Sequence, residues 1–384
     1  MSPDIRRSSL TLPNEILSAI VDEVDRLGET ETLCSLLLVS HCFYAIAVRL
    51  IYKEMLLSLF HVKQIRTFAY LSRNIASNPG AHLITSFIFE YYYDSKPCFT
   101  TYEDGIQENM ELILPYLVNV RRLHITFWPF AVFNSHALCL LPPGIQLTHL
   151  FVDRSIHLTD LSSFIALSHP FLESIVIRPA YRSVAPCQPF QPADATLSAC
   201  ALCPSLRRIE AAIEDLLLFE DAPPSLVSLG LLGQYPWRSV GVRLREHILR
   251  TFPSIHTLSF EGTHFDTGVA PVLPRLPQLK YLALDHSSMA WLAGDPRFSI
   301  LSSVKLTYIR LTYPLGDPLE IAPIYFGLVD TLLILEIVDV KTYTRVHRDS
   351  MDAPHVYNIG VRDPKWVQWW EPAEEDISNV GRKV

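Results

Sequence analysis

The chain has 384 residues, of which 49% are hydrophobic and 19% charged, so it is long and apolar enough for a large core and is not a disordered chain. A net charge of −8 and a pI near 6.0 argue against a nucleic-acid surface and against attraction to a membrane surface. The mean hydropathy of +0.20 points toward a membrane, yet no apolar run approaches the length a spanning helix needs, and Arg6, Arg7, Asn14 and Glu15 interrupt any signal-peptide core.

Taken in order, the chain first offers three short helices between Ser9 and Met55. Pro13 and Glu15 suit a helix start, the one because its missing N–H costs nothing there, the other because it meets the positive end of the dipole. Ile16, Leu17, Ile20, Val21 and Val24 then form an apolar stripe at helical spacing. A charged connection, Asp25 to Thr32, leads to the apolar run Leu33 to Val39. Ser40 caps a third helix carrying Phe43, Ala47, Leu50 and Ile51. Three helices of this size make no secure core alone and need a partner surface.

This stretch resembles an F-box. The resemblance rests on Leu12-Pro13, Glu15-Ile16-Leu17 and Ile20, with Leu36, Val39-Ser40, Phe43 and an Ile51-Tyr52 ending similar to fungal, basidiomycete-type versions. It implies docking on a Skp-type adaptor, hence a place in a cullin-based ubiquitin ligase. On this reading Leu12, Pro13, Ile16, Leu17, Ile20, Leu36, Val39 and Phe43 carry the adaptor contact. Phe43 stands where many members have Trp, and Cys42 precedes it in place of a basic residue. The alternative is a helical cap over the end of a larger domain.

A helix is expected through His61 to Ala76, stopped by Asn78-Pro79-Gly80. Then the unit apolar-x-x-apolar-x-apolar recurs. It occurs at Ile84/Phe87/Phe89, Val120/Leu123/Ile125, Leu147/Leu150/Val152, Leu172/Ile175/Ile177 and Leu206/Ile209/Ala211. It continues at Leu226/Leu229/Leu231, Ile255/Leu258/Phe260, Leu279/Leu282/Leu284, Leu306/Ile309/Leu311 and Leu332/Leu335/Ile337. Spacings between successive starts run 36, 27, 25, 34, 20, 29, 24, 27 and 26 residues, mostly within the leucine-rich-repeat range. Pro170, Pro204, Pro224, Pro253 and Pro277 each stand two residues before the first apolar position, where about one would fall by chance. Proline cannot continue a helix and presets an extended conformation, so it marks where a returning helix ends and a strand begins.

Alternation within each unit predicts a short strand, and the segments between are mostly helical, as at Glu108 to Leu117, Leu158 to Leu167 and Arg243 to Phe252. The expected class is therefore α/β: a leucine-rich-repeat-like solenoid with a parallel strand sheet, preceded by a small all-α F-box. The chain divides into an F-box-like domain at 1–56, a helical linker or cap at 57–80, the degenerate repeats at 81–345, and a C-terminal cap and tail at 346–384. In the last of these Val356 to Ile359 suggests a further strand. Trp366, Trp369 and Trp370 either pack over the last repeat or form a binding site.

Side chains flanking the apolar strand positions line the concave face of such a solenoid. Arg122, His124, His149, Phe151, Arg178, Arg208, Tyr281, Tyr308 and Arg310 are the candidate contacts to a target protein, since Tyr and Arg are favoured interface anchors. The last row of that face is Ile334, Glu336 and Val338. Two longer connections, Glu90 to Glu103 and Arg178 to Asp194, are further candidates or neutral loops.

Seven scattered cysteines make no disulfide framework, and no Asn-x-Ser/Thr acceptor occurs, which fits an intracellular, cytoplasmic or nuclear, setting. Cys200-Ala201-Leu202-Cys203 lacks the second pair a zinc site needs, so these are expected to be structural thiols. With 14 glycines in all, the chain shows no phosphate-cradling loop, no Gly-x-Ser-x-Gly elbow and no His-Glu-x-x-His helix. No enzyme, metal or cofactor is expected. The expected function is a substrate-recognition subunit of a Skp–cullin–F-box ligase; the alternative is a leucine-rich-repeat interaction scaffold outside any ligase.

Overall fold

A computed structural model describes residues 12–27, 29–59, 62–78, 80–92, 100–128, 135–153, 164–165, 170–178, 197–217, 219–232, 241–260, 270–285, 296–312, 318–338, 342–350 and 355–358. They belong to two compact units, 1–226 and 227–384, taken here in turn.

The first unit opens with helices α1 (Asn14–Arg26), α2 (Thr30–Leu36) and α3 (His41–Ile51), which pack on one another. Ser40 caps α3, its Oγ accepting from the Phe43 N–H at 3.2 Å. Val21, Leu33 and Ala47 are buried at the centre, with Leu36, Phe43 and Leu50 among the side chains packed around them. The sequence stripe on α1 thus folds inward at Leu17 and Val21, while Ile16 and Ile20 stay outside.

The next element departs from expectation. Residues Glu54–Leu59 form strand β1 before helix α4 (Val62–Asn74) begins, so the segment 57–80 is not wholly helical. Strand β1 pairs in parallel with β2 (Ser86–Tyr92), placing Met55 beside Phe87 and Leu57 beside Phe89. Tyr52 therefore occupies the position that Ile84 holds in the next unit, making Tyr52/Met55/Leu57 an additional repeat at the end of the helical domain. It escapes notice in sequence because Tyr52 also completes α3, and because Tyr52, Met55 and Leu57 are only half-buried.

Helix α5 (Thr100–Ile113) packs on α4 and leads to β3 (Arg122–Trp128); β4 (His149–Asp153) and β5 (Ser174–Arg178) follow. A short β6 (Leu197–Ser198) lies outside the main sheet, β7 (Arg208–Ala212) continues it, and β8 (Phe219–Asp221) pairs with β6. Strands β1 to β5 and β7 are parallel and in register. One buried row runs Phe87, Leu123, Leu150, Ile175, Ile209; the next runs Phe89, Ile125, Val152, Ile177, Ala211. Complete burial of an aromatic or branched side chain contributes about 1.5–3 kcal/mol, so these rows hold the sheet against its helices.

The second unit repeats the scheme. Strand β9 (Ser228–Leu232) and helix α6 (Gly241–Thr251) lead to β10 (Thr257–Phe260), β11 (Tyr281–Asp285) and β12 (Tyr308–Thr312). Helix α7 (Pro318–Leu328) then leads to β13 (Ile334–Val338). All five strands are parallel, with Leu229, Leu258, Leu282, Ile309 and Leu335 in one row. The connections at Ala270–Arg275 and Pro296–Ser303 are 3-10 turns. Pro274 inside the first removes a donor that an α-helix would use. Two antiparallel strands, β14 (Thr342–His347) and β15 (His355–Asn358), close the sheet, so the strand expected near Val356 is present and β14 is additional.

One hydrogen-bond device recurs just before β2 to β5, β7 and β10 to β13. The carbonyl of Lys53 accepts from the N–H groups of both Thr85 and Ser86, and Thr85, Arg121, Thr148 and Glu173 each do the same for the following unit. Val227, His256, Lys280 and Thr307 repeat it in the second unit. The prolines also find their reason here. Pro204, Pro224 and Pro277 stand first inside tight turns closed by Leu206 N–H to Cys203 O, Leu226 N–H to Pro223 O and Leu279 N–H to Leu276 O, the position for which a fixed φ is ready-made. Every residue of the ten triplets read from the sequence is buried. The fold is leucine-rich-repeat-like: α/β, with mostly parallel sheets preceded by N-terminal helices.

The expected helix over Leu158 to Leu167 falls largely outside the described residues, as do residues 93–99 and 179–194 of the two long connections and all of Trp366, Trp369 and Trp370.

Candidate functional sites

The first candidate surface lies on the N-terminal helices. Leu12 is 52% exposed, Ile16 47%, Ile20 39% and Val39 64%, and Pro13 and Leu38 are exposed with them. Ile16 and Ile20 are one helical turn apart and share a face of α1. Leu38 and Val39 stand in the turn between α2 and α3. The structure separates these residues from others assigned to the same contact: Leu17 is buried at 6%, and Leu36 and Phe43 pack against the helical core. Those three hold the helices together, because a side chain already covered by its own domain has little surface left for another.

The second candidate is the sheet face opposite the helices. In the first unit its centre is a stack of three planar groups. The rings of His124 and Phe151, register partners on β3 and β4, have centroids 3.8 Å apart. The Arg178 guanidinium, a diagonal neighbour on β5, lies over the Phe151 ring at 5.2 Å. His124 is the buried member of this stack. Burial above all, and then the Arg178 charge, lowers its pKa from 6.5 to about 3, so the imidazole is neutral. Arg122 and Arg178 are exposed, whereas His149, Phe151 and Arg208 are half-buried. The His149 ring lies 2.9 Å from the Thr148 hydroxyl, and Arg208 donates from Nε to Glu210 at 3.0 Å.

In the second unit Tyr281 and Tyr308 are paired across β11 and β12 with ring centroids 5.5 Å apart. Arg310 is not an open contact residue. Its Nε donates to Glu336 at 3.1 Å, and Arg345 on β14 donates to the same carboxylate at 2.7 Å. Glu336 is 1% exposed, and Ile334 and Val338 beside it are buried too, so the face expected to be open at β13 is covered. The antiparallel β14, absent from the sequence reading, supplies Arg345.

Cys203 is buried and its thiol is pushed up to about 12 by desolvation, the reverse of what a redox cysteine needs. Among the described residues no group of three His, Cys, Asp or Glu side chains could hold a metal ion, and no helix is long and apolar enough to cross a membrane.

No protein-family model matches this chain, and no curated protein matches it. Among solved structures it is similar to the leucine-rich repeat-containing protein LegL7 from Legionella pneumophila, at 13% identity and a TM-score of 0.44, over 74% of this chain and 90% of that one. So distant a likeness carries no argument; the fold assignment rests on the strand register and the recurring carbonyl.

Proposed function

We propose that this chain is a non-catalytic substrate-recognition subunit of a Skp–cullin–F-box ubiquitin ligase. Leu12, Pro13, Ile16, Ile20 and Val39 dock on a Skp-type adaptor, and the sheet face holds a target protein while a separate enzyme delivers ubiquitin. The supporting observation is the division of labour on the helices. Val21, Leu33 and Ala47 give the three helices a small core of their own, and a second set of apolar side chains is left uncovered outside it. Scattered surface hydrophobics are common, but several on adjoining elements of one small domain mark an interaction surface. Holding a target beside the transferring enzyme raises its effective concentration, with no chemistry required of this chain. The reading goes with a cytoplasmic or nuclear location.

The test is binding to a fungal Skp-type adaptor by the wild-type chain and by a Leu12→Ala, Pro13→Ala, Ile16→Ala variant, with circular dichroism confirming that both are folded. Binding lost in the variant supports the ligase reading. Absence of binding by folded wild type removes it.

A second reading is a repeat scaffold outside any ligase. It is favoured by the direct run from α3 into β1, which makes the helices a cap on the first strand of the sheet. Such a scaffold keeps its partner binding and does not bind the adaptor.

A further inference from the structure

We infer that the sheet face of the first unit binds an extended acidic protein segment, with carboxylates on Arg122 and Arg178 and an apolar side chain over Phe151 between them. This deepens the reading of the sheet as the target-holding surface and is independent of the adaptor.

Arg178 is the anchor of this surface. Its guanidinium is already placed over the Phe151 ring, 5.2 Å from the centroid, so the side chain gives up little freedom when it meets a carboxylate. It is exposed, and it is a cation set over an aromatic ring on this face. His124 completes the platform from the other side of Phe151 and, being buried and neutral, adds no charge of its own. Arg122, at the start of β3, is a second exposed cation. Arg208, by contrast, is matched by Glu210 on its own strand. Asp153 holds the register position beside Arg178.

The separation of the two arginines sets the ligand's spacing. They lie two strands apart and four residues apart along the strand direction, because Arg122 aligns through His149 with Ser174. At about 4.8 Å per strand and 3.3 Å per residue, their backbones are roughly 16 Å apart on the diagonal, which an extended peptide spans in about five residues. The ligand is therefore a segment with two acidic side chains about five residues apart and an apolar one near the middle.

The test is fluorescence anisotropy of the full chain with three labelled peptides of about twelve residues. One carries two Asp at that spacing around a Phe, one has Lys in place of both Asp, and one has Asn. The acidic peptide is expected to bind best, with Arg122→Ala and Arg178→Ala each weakening it by about tenfold. Arg178→Lys, which keeps the charge but not the planar fork, is expected to fall between wild type and Arg178→Ala. Binding of the Lys or Asn peptide equal to the acidic one overturns the acidic class while leaving a partner-holding sheet in place. An acidic peptide that binds equally well to both alanine variants overturns the site. If none of the three binds the folded chain, both this inference and the partner-holding reading of this face fall.

Discussion

The ring of Tyr52 lies so close over Gly80 that a Cβ there would sit 2.7 Å from three of its ring carbons. Tyr52 ends α3 and Gly80 opens the turn before β2, so this contact joins the helical domain to the first pair of strands. A rigid ring cannot move aside as the tip of a flexible chain would. Gly80→Ala should therefore cost about 1–3 kcal/mol, read as a lower midpoint in urea. Gly80→Ala combined with Tyr52→Leu should recover part of the loss, since the obstructing ring is gone.

Glu336 is held between Arg310 and Arg345 and almost wholly excluded from water. Removing its carboxylate leaves two cations without their common partner. Glu336→Ala is expected to destabilise by about 3–5 kcal/mol, and Glu336→Gln by less because its amide oxygen still accepts. Hydrogen exchange should show the loss first in β13 and β14, whose register places Glu336 opposite Arg345.

His124 gives a pH dependence with a definite sign. Its folded pKa of about 3 lies below the ordinary 6.5, so between those values the unfolded chain takes up a proton that the folded chain refuses. Its contribution is intact above pH 6.5 and is lost as pH falls toward 3, at up to about 1.4 kcal/mol per pH unit. His124→Phe keeps a ring on Phe151 and removes the titration. The stability difference between wild type and variant should vary across that window and be flat above it. A constant difference down to pH 3 would show that the imidazole is not shielded in this way.

The docking helices offer a paired test. Leu17→Ala removes a buried side chain and should cost about 2–4 kcal/mol. Ile16→Ala, one residue away but exposed, should change stability by no more than about 0.5 kcal/mol while weakening the adaptor complex. Equal effects on folding would remove the distinction between core and contact.

The repeats were legible because burial repeats with them: from Ile84 to Ile337 each apolar triplet has one residue just before its strand and two at the same positions on it. The two ends were not. At the first, Tyr52 serves helix and repeat at once, and an edge strand needs fewer large apolar residues. At the last, β14 puts Thr344 and Val346 inward, so half of its buried face is a threonine that reads as surface. Candidate site residues were legible as types but not as states. Arg122 and Arg310 look alike in sequence, and only β14, through Arg345, reveals that Arg310 belongs to a buried ionic group. Likewise Ile16 and Leu17 both fit the helix stripe, and their separation depends on where α3 lies.

The recurring carbonyl has a consequence for how such a chain tolerates change in length. Lys280 and Thr307 play identical parts at successive steps, each accepting from two N–H groups ahead and donating to the step behind. Excising residues 280–306 would set Thr307 where Lys280 stood and bring β12 against β10, with the same bonds closing the seam. The chain resembles a zip fastener whose teeth are interchangeable: losing a whole tooth shortens it, whereas losing part of one jams it. Circular dichroism and thermal melting should accordingly find that whole-step excision folded, and an excision a few residues shorter or longer unfolded.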